Sequence, residues 1–207
     1  GTPKDPAKAF AFFADVSDYT DKYLLLTPAQ KTSINTILNP LGINLDDRVN
    51  SLTELAAISL DTNGIIYEIN GITKKDPAKV ADFLIVQNDY INTYNALTPD
   101  QKDKVDPFLA LLGLNLRDGN ISLADQAAFS DPDKGILYNA DGTPKDPAKA
   151  FAFFVDVSSY TDKYLLLNTQ QKAAINTILN PLGINLDDRV NSLTELAAIS
   201  LDTNGII

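Results

Sequence analysis

The chain contains no cysteine, no histidine, no methionine and no tryptophan. Without cysteine there is no disulfide, no thiolate nucleophile and no cysteine-ligated zinc or iron–sulfur cluster. Without histidine no side chain titrates near neutrality unless its surroundings shift it, and no imidazole is at hand for a metal or a proton relay. Long apolar runs are missing too. None approaches the roughly 18–20 residues that span a bilayer, so no membrane span is expected. Basic charge is scarce, with 17 lysines and arginines against 27 aspartates and glutamates and a formal net charge of −10. Nucleic acid needs a basic patch, so no nucleic-acid partner is expected.

What is present is a repeat. Residues 142–207 match residues 1–66 at 59 of 66 positions without a gap. A shift of 71 lays residues 5–67 on residues 76–138 with 27 identities in 63 positions, including Asp5-Pro6 on Asp76-Pro77 and Gly42 on Gly113. Lys75 reads as a single insertion that restores register with the third copy. The copies are therefore residues 1–71, the diverged 72–141, and 142–207, which is nearly identical to the first and stops short. Two alternating types make a block of 141 residues. Ile207 corresponds to Ile66 and lacks the tyrosine that should follow, so the sequence reads as an excerpt from a longer array. Close identity of the outer copies points to duplication of the whole block. Arrays that grow this way are selected for length or copy number more often than for one special site.

The expected fold is mainly α: a tandem repeat of three-helix units of about 70 residues, each followed by a short β-hairpin or extended segment that joins it to the next. The first helix starts with Asp5 as cap and Pro6 at the first helical position. Its stripe is Phe12, Val16, Tyr19, Tyr23 and Leu26, which becomes Phe83, Gln87, Tyr90, Tyr94 and Leu97 in the second copy. Phe10 and Phe13 widen this apolar surface, so the helix is expected to touch a neighbour as well as its own unit. The second helix opens on the capping box Thr27…Gln30, kept as Asn168…Gln171 in the third copy. It carries Ile34, Ile37, Leu38 and Leu41, matched by Val105, Phe108, Leu109 and Leu112, and ends at Asn39-Pro40 and Gly42. The third helix has its own box, Ser51…Glu54, and runs to about Ser59. After it, Asn63-Gly64 and Asn70-Gly71 are hairpin signals around Ile65, Tyr67 and Ile69, and Ile136 and Tyr138 repeat the pattern more weakly. An isolated strand needs a partner, so these five residues are the expected joint between units. The partner is the next repeat or another copy of the same chain.

Candidate chemistry is sparse. Asp118–Asp125 resembles the back half of a helix–loop–helix calcium loop, but Leu114 and Leu116 stand where its first ligands should be, and Arg48 stands where the turn needs glycine. Asp61, Asn63 and Glu68, with Asp131, Asp133 and Asp141, gather hard oxygen ligands on turns, where calcium could stiffen the joints; such residues are also the ordinary stuff of turns. The tyrosines at 19, 90 and 160 and at 23, 94 and 164 could stack on a sugar, but on an apolar helix face they are expected in the core. Asp15, Asp18 and Asp21 read as a solvated helix face. The sequon Asn120-Ile121-Ser122 is a short pattern that arises by chance. Asn44-Leu45 with Asp47 recurs in all three copies as a patch that could bind a ligand, or simply build a turn. No phosphate loop, nucleophile elbow or paired metal-binding histidine occurs, and no enzyme is expected. The expectation is a structural protein of the extracellular space or cell surface, a segment of a rod, filament, sheath or adhesin stalk. The rival is a multivalent array with one weak glycan- or protein-binding site per repeat.

Overall fold

A computed structural model describes residues 6–48, 51–59, 76–119, 121–130, 143, 145–190 and 192–200. The chain is mainly helical, and among the described residues there is no β-strand. The helices come in a recurring order of long, medium and short. The long ones, α1 (Pro6–Leu24), α4 (Pro77–Ala96) and α7 (Pro147–Leu165), all begin with proline, whose missing N–H would have had no partner in the first turn. Asp76 accepts the Ala78 amide at 2.9 Å and Asp146 accepts those of Ala148 and Lys149, so both described aspartates that precede these prolines are caps.

The medium helices are α2 (Pro28–Leu38), α5 (Pro99–Leu112) and α8 (Thr169–Leu179), and each opens on a complete capping box. In α2 and α8 the prolines at 40 and 181 turn the last residues into single 3₁₀ turns, Asn39–Leu41 and Asn180–Leu182. Leu111 holds that place in the second copy, and α5 stays α-helical to Leu112. All three stop on a left-handed glycine, and the next amide reaches back to a helix carbonyl, as Ile43 does to Leu38 at 3.1 Å. The short helices are α3 (Leu52–Ser59), α6 (Leu123–Ser130) and α9 (Leu193–Ser200). Their boxes use a buried acid: Glu54 accepts the Ser51 amide at 3.1 Å and, across the loop, the Asn44 amide at 3.0 Å. Glu195 accepts the Asn185 amide at 2.9 Å and the Ser192 hydroxyl at 3.1 Å.

The turn ahead of the short helix corrects one expectation. Gly119 adopts φ +74°, and Arg48 and Arg189 adopt φ +63° at the equivalent places, so arginine does form this turn. Each arginine reaches back to the long helix, Arg48 to Asp21 at 2.9 Å and Arg189 to Asp162 at 2.8 Å. These exposed pairs offset part of the backbone strain.

The chain divides into two compact units, one of Gly1–Asn92 with Asn120–Ser130, the other of Thr93–Gly119 with Asp131–Ile207. The first has a core of Val16, Tyr23, Ile34, Ile37 and Leu38 with Val80, Leu84 and Ile91. Tyr90 meets Phe129 edge-on there, with centroids 6.0 Å apart. The second is built on Val105, Phe108 and Leu112 of α5 with Phe151, Phe154 and Val157 of α7. The expected hairpin residues Ile65, Tyr67, Ile69, Ile136 and Tyr138 lie outside the described residues.

A β-carbon on Gly119 would meet open space, so the penalty for Gly119→Ala is the left-handed backbone alone. We expect a loss of about 1 kcal/mol, read as a lower urea midpoint.

Candidate functional site

The first and third copies are nearly identical in sequence, so any difference in burial between them reports their surroundings. In the first unit the surface formed by α1, α2 and α3 is covered. Val80 and Leu84 of α4 line the same cavity as Val16, Tyr19, Leu38 and Ile58, and only about 30 Å³ stays open. Ile37 is 0% exposed. In the second unit the equivalent surface of α7, α8 and α9 is an open apolar groove of about 300 Å³, bordered by Tyr160, Tyr164, Ile175, Leu179 and Ile199. Ile178 on α8, the counterpart of Ile37, is 68% exposed.

The opposite face of the long helix shows the reverse. Phe151 and Phe154 of α7 are fully buried: Phe154 stacks on Phe108 with centroids 5.2 Å apart and planes at 18°, and Phe151 meets Tyr94 edge-on at 6.0 Å. Their counterparts Phe10 and Phe13 on α1 are 71% and 50% exposed. Phe13 there borders an open hollow of about 270 Å³ with Ser17, Arg48 and Leu55. Burying a phenylalanine is worth about 1.5–3 kcal/mol, so the covered face is a substantial source of stability and the uncovered one a matching liability.

Behind the groove each long helix fixes one tyrosine by a polar network. Tyr23 donates to Asp46 at 2.8 Å and lies 3.0 Å from Asn35 Oδ1, while Asn35 donates to Asp46 at 2.9 Å. Tyr164, Asn176 and Asp187 repeat this. In the second copy Tyr94 donates to Asp106 at 2.6 Å, and Arg117 pairs with Asp106 at 2.7 Å and with Asp103. Burial first, and the facing carboxylate second, push the Tyr23 and Tyr94 phenols up to about 12, and burial also raises Tyr164. A lysine lies over each ring, Lys31, Lys102 and Lys172, at 5.1–5.2 Å.

The other sequence candidates fall into structural places. Tyr19 and Tyr90 are buried, and Tyr160 is half-exposed beside the open groove. Asp21 is exposed and paired with Arg48, and Asp18 beside it is exposed on the same helix. Ahead of the 118–125 loop Leu114 and Leu116 are buried, and within it the Asp125 carboxylate accepts the Ser122 amide at 2.9 Å. Asn44 accepts the Asp46 amide at 3.1 Å and Leu45 is buried, so this patch builds a turn. The calcium candidates Asp61, Asn63, Glu68, Asp131, Asp133 and Asp141 lie outside the described residues, as does Asn120 of the sequon. Among the described residues no three acidic side chains are grouped to hold a metal ion, and no helix is long and apolar enough to cross a membrane.

Comparison of the chain with protein-family models, with curated proteins and with solved structures finds no match. The groove and the aromatic face are thus read on their own geometry.

Two measurements check it. Ile37→Ala should cost about 2–4 kcal/mol in denaturant unfolding, whereas the same change at Ile178 should cost less than about 0.5 kcal/mol. The tyrosines give the second. Because the folded phenols of Tyr23 and Tyr94 titrate near 12 rather than 10, their contribution is intact below pH 10 and is lost as pH rises through 12. Phenolate absorbance should show a late-titrating fraction that Tyr94→Phe reduces.

Proposed function

We propose that the chain is part of a structural tandem-repeat protein of the extracellular space or cell surface, a segment of a rod, filament, sheath or adhesin stalk. Its role is mechanical: three-helix modules stack on one another, and copy number sets reach. The observation that supports this reading is the paired difference in burial. The same phenylalanines are sealed where another module's residues lie against them and bare where none do. A module of about 70 residues buries a modest fraction of its surface, so stacking supplies the stability that each module lacks alone. Acidic charge keeps such an array soluble, and the lack of cysteine and methionine suits an exposed polymer.

In this reading the segments after α3 and α6 join successive modules, and the acids there are candidate calcium ligands that would stiffen the joints. Negative-stain electron microscopy of a multi-repeat protein, with sedimentation in calcium and in chelator, tests both. Long uniform rods are the expected result, and a drop in stiffness in chelator would support calcium at the joints. Separate compact beads would refute the rod and favour the multivalent binding array.

A further inference from the structure

We infer that the open groove on α7, α8 and α9 is the docking site for α1 of a second copy of this chain, with Phe10 and Phe13 as the inserted residues. This rests on the stacking read above and names its intermolecular form.

The chain supplies its own precedents. The groove of the first copy already holds a long helix, with Val80 and Leu84 against Tyr19 and Leu38. The phenylalanine face already has an acceptor, since Phe154 stacks on Phe108 and Phe151 meets Tyr94 edge-on. Phe13, Leu84 and Phe154 occupy the same repeat position, as do Ile37, Phe108 and Ile178. Phe154 stands on Phe108, and by repeat position Leu84 corresponds to Phe154 and Ile37 to Phe108, so the two joints combine leucine with isoleucine and phenylalanine with phenylalanine. Phe13 against Ile178 falls between them in volume, so it leaves neither a large void nor an overpacked contact. Tyr164 stands ready for Phe10 as Tyr94 does for Phe151. The fit is reciprocal: Ile178 projects from one copy where the hollow beside Phe13, Ser17 and Leu55 opens in the next.

The two patches differ, so the contact is heterologous, and each copy keeps one unused patch after pairing. Association then continues into chains of copies or closes into a ring. A symmetric dimer does not satisfy it.

Sedimentation velocity on the full chain over a concentration series to about 1 mM tests this, because that ceiling still detects millimolar affinity. The expected result is a mass that climbs past the dimer. Phe13→Asp and Ile178→Asp change exposed residues, so helicity and urea midpoint should stay put. Each should weaken association by about tenfold or more. A mixture of the two variants should restore one contact, the intact face of the Ile178→Asp chain in the intact groove of the Phe13→Asp chain, and stop at a pair. A monomer at every concentration would overturn the proposal, as would association that ignores either substitution or a mixture that fails to pair. A dimer abolished by Phe13→Asp but untouched by Ile178→Asp would mean that two phenylalanine faces meet, and would overturn it too. None of these results bears on stacking within one chain, which Ile37→Ala and the microscopy address.

Discussion

The arrangement depends on one contact: a bulky apolar side chain two turns into a long helix packs against residues of the preceding copy. Leu84 does this in one unit and Phe154 in the other. Where it happens, Ile37 is sealed and Phe154 makes a stacked aromatic pair. Where it does not, identical residues stand in water. The capping boxes, left-handed glycines and buried acids set the angles within a triplet, but they bury little apolar area. The side chain that crosses between triplets completes the core.

Much of this was legible in the residues. Proline after aspartate, threonine or asparagine three places before glutamine, and serine three before glutamate gave the helix starts, and Asn39-Pro40 with Gly42 gave an end, because each signal is a local hydrogen-bond requirement. The stripe on the first helix was legible in part: Val16, Tyr19 and Tyr23 are core, while Phe12 and Leu26 are half-exposed. The opposite fates of Ile37 and Ile178 could not be read, since the same sequence surrounds both and the difference comes from a distant segment. Arg48 misled because its left-handed turn is steadied by Asp21, a partner 27 residues away in sequence. The tyrosine network did leave a signal. Where the outer copies have Asn35 with Asp46, the middle copy has Asp106 with Arg117, a matched pair of changes that marks spatial neighbours.

Several of the described acids hold the fold's polar contacts. Glu54, Asp125 and Glu195 are buried, yet they serve as helix caps rather than as acids or bases. Asp46 and Asp106 hold phenols, and Asp21 and Asp162 hold arginines. Each of these described acids is tied to a helix start, a phenol or an arginine.

The matched pair beneath the groove also limits how such copies can be shuffled. An asparagine on the medium helix works with an aspartate in the loop after it, and an aspartate there works with an arginine. A crossover between helix and loop would give the other two combinations. One sets two carboxylates against a single buried phenol. The other leaves the arginine without either of its acidic partners, since Asp103 and Asp106 both lie on the medium helix. Exchange between the two types inside a copy, between its medium helix and the loop that follows, is therefore penalised.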